Sequence, residues 1–132
     1  MTETNEGFGL DRIGQISVPV KDVDRAVAFY RDKLGMKLLF RAPPGLAFFG
    51  CGEVRLMLSV PETPELAHPA SILYYRVEDI EEAHAVLRDR GIAFEHPPGI
   101  VHRAATYELW IASLRDSEGN VLALMCEKPV AP

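Results

Sequence analysis

The stretch Gln15-Ile16-Ser17-Val18-Pro19-Val20-Lys21-Asp22-Val23-Asp24-Arg25-Ala26-Val27-Ala28-Phe29-Tyr30 decides the fold, because its hydrophobic period changes partway along. Ile16, Val18 and Val20 alternate with Gln15, Ser17 and Pro19, the period-2 signature of a half-buried strand. From Val23 the apolar residues recur at Ala26, Val27, Tyr30 and Leu34, the spacing of a helix face, with Asp22 placed as N-cap and Gly35 as the stop. Three short strands are expected next, at 37–41, 46–50 and 54–60, separated by Pro43-Pro44-Gly45 and by Gly50-Cys51-Gly52-Glu53.

The same programme restarts at Ser71. Leu73, Tyr75 and Val77 alternate, Asp79 caps with Glu82 at the capping-box position, and Ile80, Ala83, His84 and Leu87 form the stripe before Gly91. At an offset of 57, Val20, Asp22, Ala26, Ala28, Arg31 and Asp32 meet Val77, Asp79, Ala83, Ala85, Arg88 and Asp89, six identities in thirteen positions. Pro97-Pro98-Gly99 echoes Pro43-Pro44-Gly45 as a turn, and Asp116-Ser117-Glu118-Gly119-Asn120 makes the last hairpin. The chain therefore reads as two βαβββ units. The expected layout is a flexible tail over 1–11, one α+β domain over 12–127 and a short tail over 128–132. Within the domain, modules 12–60 and 70–127 flank a proline-rich linker at 61–69.

Composition bounds the function. The 132 residues are 48% apolar and 25% charged, enough for one compact domain, and no apolar run is long enough for a membrane span. Fourteen Lys+Arg against nineteen Asp+Glu, without a basic cluster, argue against a nucleic-acid footprint and leave a small molecule as the expected ligand. The polar, acidic start lacks the features of a signal peptide, so a cytoplasmic protein is expected, with Cys51 and Cys126 as unpaired thiols.

The duplicated βαβββ unit, the opening Ile13-Gly14-Gln15-Ile16-Ser17-Val18-Pro19-Val20-Lys21-Asp22 with Ala28-Phe29-Tyr30 and Leu34-Gly35, and the closing Asp116-Ser117-Glu118-Gly119-Asn120 resemble the vicinal oxygen chelate superfamily. That group includes glyoxalase I, bleomycin and fosfomycin resistance proteins and extradiol dioxygenases. The resemblance implies tandem modules whose mixed sheet curls, open, around a cleft, often in a homodimer. It also implies four metal-ligand positions on the first and last strands of the modules, which fall on Gln15, Leu56, Ile72 and Ala123. Only Gln15 offers a donor, so neither a metal nor another cofactor is expected at that place.

If Gln15 and Ala123 face the cleft, strand parity adds Ser17, Leu56, Leu58, Ile72, Tyr74, Arg76 and Met125. With Ala112 opposite Ala123 across the last hairpin, Trp110 and Glu108 join them, while Leu109, Ile111, Leu122 and Leu124 pack on the helices. Glu108 and His102 are then the candidate catalytic pair, a carboxylate and an imidazole able to move a proton. Gln15, Ser17, Leu56, Ile72, Tyr74, Arg76, Trp110 and Ala123 are the candidate ligand-binding residues. His84 is expected to pack on its helix, with His68 and His96 in solvated connections. Three functions fit: a binder of a small organic molecule with a degenerate metal site, a metal-independent isomerase or lyase, or a metal-dependent lyase or dioxygenase with ligands from Gln15, His102 and Glu108.

Overall fold

In the computed structural model, which describes residues 7–63 and 68–131, each half of the chain builds a four-stranded mixed sheet with one helix on it. In the first, β1 (Gln15–Pro19) lies parallel to β4 (Val54–Ser59), followed by β3 (Leu46–Cys51) and β2 (Lys37–Ala42). The second repeats the order with β5 (Leu73–Arg76), β8 (Val121–Pro129), β7 (Tyr107–Arg115) and β6 (Phe94–Arg103). Neither sheet closes on itself, so the architecture is the expected open α+β pair of modules. Residues 1–6 of the N-terminal tail and 64–67 of the linker lie outside the described residues.

Both helices start where the caps say. Asp22 accepts a hydrogen bond from the Arg25 amide at 3.1 Å and Asp79 from the Glu82 amide at 3.0 Å. Helix α1 (Val23–Ala28) runs into a π turn at Phe29–Lys33, whereas α2 (Ile80–Asp89) is regular. Gly35 and Gly91 end the helical segments at positive φ of 74° and 89°, which glycine adopts without a Cβ clash.

One continuous core joins the halves under the helices. Val18, Val20, Ala26, Tyr30, Phe49, Leu56 and Leu58 pack in the same cluster as Ile80, Leu87, Leu114, Leu122 and Leu124. Polar contacts reinforce the join where the loop 116–120 meets α1. Glu118 Oε1 accepts from the Lys21 and Asp22 amides at 2.8 and 2.9 Å, and Arg25 clamps the same carboxylate from its exposed side. Beside it, Tyr30 donates to Asp116 Oδ2 at 2.7 Å, and the Asn120 side chain donates to the Pro19 carbonyl at 2.9 Å. The short motif read as a hairpin turn is thus also the clasp between the modules.

Three expectations need correction. Pro97-Pro98-Gly99 is not a turn but lies within β6, where the strand slips register three times; proline cannot donate to the ladder, and bulges absorb it. His96 accordingly sits on a strand rather than in a loop. The third correction concerns which face the strands β4 and β7 present, and it reshapes the site.

Candidate functional site

Pairing settles the faces. In the parallel ladder Ile16 meets Leu56 and Val18 meets Leu58, so Leu56 and Leu58 share the helix-covered face and are almost fully buried, at 2% and 0% exposure. The uncovered face of β4 carries Arg55, Met57 and Ser59 instead, beside Gln15, Ser17 and Pro19. On the second sheet the loop 116–120 closes on the pair Arg115 and Val121, so Ser113, not Ala112, stands opposite Ala123. One residue of register turns every side chain over. Leu109, Ile111 and Ser113 therefore share the uncovered face with Ala123 and Met125, while Glu108 and Trp110 lie on the helix side with Ala112 and Leu114.

Glu108 and Trp110 are consequently structural in their contacts. Trp110 packs against the core, donates from Nε1 to Glu108 at 3.3 Å, and carries the Lys128 ammonium 3.8 Å above its ring. Lys128 also pairs with Glu81, which ties the sheet to α2. His102 pairs with Leu109 on the opposite face, so it does not form a couple with Glu108, whose strand neighbour is Arg103. A ligand set drawn from Gln15, His102 and Glu108 meets the same obstacle.

What the uncovered face of the first sheet assembles is an aromatic and cationic surface. Phe40 on β2 stacks on Phe48 on β3 with centroids 4.4 Å apart, and the Arg55 guanidinium lies 5.2 Å over the Phe48 ring. Gln15 fixes that guanidinium: its Oε1 accepts from Arg55 Nε at 2.7 Å while its Nε2 donates to Met57 Sδ at 3.7 Å. Toward the Pro19 end the same face opens into a cavity of about 350 Å³ lined by Ser17, Leu46, Ser59 and Gly45, with Glu62 and His68 of the linker at its edge. Ser17 is the only candidate binding residue from the sequence that borders this cavity.

On the second sheet Tyr74 and Arg76 take the uncovered face as expected, with Tyr74 52% exposed and Arg76 facing Glu127 at 3.7 Å. Ile72, just before β5, is 48% exposed, and Ala123 is buried beneath that face at 1%. His96 Nδ1 and Ser113 Oγ are 2.9 Å apart, a pair the sequence did not single out. His84 packs edge-on against Phe94 at 4.5 Å, in agreement with its place in the helix stripe, and both cysteines are free thiols. Among the described residues no three His, Cys, Asp or Glu side chains converge as a metal-binding group. No described helix is long and apolar enough to cross a membrane.

The arrangement has relatives. The sequence profile of the Glyoxalase/Bleomycin resistance protein/Dioxygenase superfamily matches residues 12–124, so the chain belongs to that superfamily. A protein of Bacillus subtilis strain 168, the uncharacterized YraH, is 26% identical over 123 residues, covering 83% of this chain and 94% of its own. Among solved structures, a lactoylglutathione lyase from Agrobacterium tumefaciens superposes with a TM-score of 0.69 at 25% identity, covering 88% of this chain and 93% of that one. A glyoxalase/bleomycin resistance protein/dioxygenase from Alicyclobacillus acidocaldarius gives a TM-score of 0.70 at 21% identity, covering 89% and 92%, and speaks to the fold alone.

Proposed function

We propose that the protein binds a small organic molecule on the uncovered faces of its sheets, and that its version of the superfamily's metal site is degenerate. The observation that carries this reading is the chemistry at the inherited positions. With β4 correctly faced they are Gln15, Met57, Ile72 and Ala123, and their one oxygen donor, on Gln15, already accepts from Arg55. A hard divalent ion needs several anionic or imidazole donors, so this set does not fit one. The neighbouring Arg55 and Phe48–Phe40 stack suits a planar ligand with an anionic substituent, which a guanidinium receives and an aromatic face covers. The ligand class is thus an aromatic or conjugated acid, and the homodimer that the family resemblance implies is part of the same proposal.

Three measurements test this. Elemental analysis of protein purified without chelator is expected to find no stoichiometric Zn, Ni, Mn or Fe; a full equivalent lost in Gln15→Ala contradicts the reading. Titration with 2-naphthoate, followed by NMR, is expected to shift signals of Ser17 and Met57 saturably. Arg55→Ala should weaken it by about tenfold, the loss of one charge-assisted contact. Equal affinity in the variant removes Arg55 from the site. Light scattering at micromolar concentration is expected to give a dimer, and a monomer there refutes that part.

A further inference from the structure

The two modules meet helix-to-hairpin at two places related by the internal repeat, and only one of them is filled. At α1, the five-residue loop 116–120 supplies Asp116 and Glu118, which take up the Tyr30 hydroxyl, the Lys21 and Asp22 amides and Arg25. At α2 the facing hairpin turns in two residues, Gly52 and Glu53, between the paired Cys51 and Val54. Among the described residues neither Gly52 nor Glu53 makes a hydrogen bond or ion pair with the helix. Leu87 stands where Tyr30 stands in the first module and Glu82 where Arg25 does. The result is a cavity of about 550 Å³, walled by Met36, Val77, Val86, Leu87, Leu122 and Leu124. Its rim holds Cys51, Glu78, Asp79, Glu82 and Arg90. The Glu78 and Asp79 amides are the counterparts of those that bind Glu118, yet they have no acceptor among the described residues.

We propose that this cavity is a second ligand site, for an uncharged apolar molecule headed by a carboxamide. The apolar walls and a volume in the range of small-molecule pockets call for a hydrocarbon or aromatic body. The head follows from comparing the two junctions. Two exposed amides without a protein acceptor offer their N–H groups to a ligand oxygen, the role the Glu118 carboxylate plays at α1. A carboxylate is disfavoured here because Glu82 replaces the neutralising Arg25 and stands with Glu78 and Asp79, three carboxylates against Arg90 alone, whose guanidinium donates to the Lys33 carbonyl at 3.0 Å. A carboxamide meets both conditions: its carbonyl accepts from the amides and its N–H donates to the Glu82 carboxylate. Tyr75, half-buried in the wall and without a hydrogen bond among the described residues, offers one further donor.

The test uses the full chain and three probes of one shape, phenylacetamide, phenylacetate and phenethylamine, followed by amide chemical shifts. Phenylacetamide is expected to shift Glu78, Asp79 and Leu87 saturably and to bind about tenfold more tightly than phenylacetate. Glu82→Arg, an exposed substitution that rebuilds the α1 chemistry, should reverse that order. Leu87→Tyr should fill the space as Tyr30 does and abolish binding; if that variant does not fold, Glu82→Arg decides alone. Phenylacetate or phenethylamine binding best to the unaltered protein overturns the proposal. So do shifts confined to Ser17, Met57 and Tyr74, or cavity signals that move with protein concentration rather than with probe, which would mean a second copy as the occupant.

Discussion

Tyr30 is 1% exposed, and its hydroxyl is 2.7 Å from Asp116 Oδ2. Burial, and then the Asp116 charge and hydrogen bond, push its ionisation far above the ordinary phenol value, so it acts only as a donor. Asp116 remains partly satisfied without it, because Oδ2 also accepts from Asn120 Nδ2 at 3.0 Å and Oδ1 from the Glu118 and Asn120 amides. Tyr30→Phe is therefore expected to cost about 1–2 kcal/mol in urea unfolding, the price of one buried hydrogen bond to a charged acceptor. A change below about 0.3 kcal/mol would show that the bond contributes nothing net. In the sequence this tyrosine reads as a member of the apolar helix stripe with no sign of its hydroxyl's partner, which stands 86 residues away.

The strand β4 decides the site by the face each residue takes. Leu56 and Met57 are neighbours of similar size, yet Leu56 is buried in the core at 2% and Met57 lies on the uncovered face. Leu56→Ala is expected to cost about 2–5 kcal/mol, the range for a leucine removed from a packed interior, and Met57→Ala well under half of that. Comparable losses from the two would return Leu56 to the cleft. Alternation within each strand was legible in the sequence, and for β1, β5 and β8 the face followed correctly. For β4 and β7 it did not, because the face is fixed by cross-strand pairing, and a turn motif such as 116–120 marks where the chain reverses without marking which flanking residues pair. Between Arg115 and Val121 an odd loop of five forms, closed by the Asp116 amide on the Asn120 carbonyl at 2.9 Å, and the register moves by one.

At the scale of the molecule, the clasp at Glu118 ties stability to pH. The hydrogen bond from Arg25, helped by Ser117 and the Asp22 and Lys21 amides, outweighs burial and holds this carboxyl near 2, below its ordinary 4.5. A carboxyl lowered on folding stabilises the folded state above its unfolded value, and that contribution fades as pH falls through the folded one. Glu118→Gln should therefore lower Tm at pH 7, with the gap from the unaltered protein closing between pH 4.5 and 2. A gap that persists unchanged at pH 2 would assign the loss to packing rather than charge. Salt should narrow the gap only slightly, since the Glu118 side chain is 1% exposed although Arg25 is about half exposed.

By itself the sequence determined the duplicated βαβββ order, the helix caps at Asp22 and Asp79, the glycine stops and the loop 116–120. Each is a local matter of period, cap chemistry or backbone freedom, readable within one turn or strand. Only the tertiary structure decided which residues share a surface. It moved Leu56, Glu108 and Trp110 to the helix side, brought Arg55 over Phe48, and left one of two equivalent junctions hollow. The physical reason is that a side chain's face depends on register and on loop length, and both are set by partners distant in the chain.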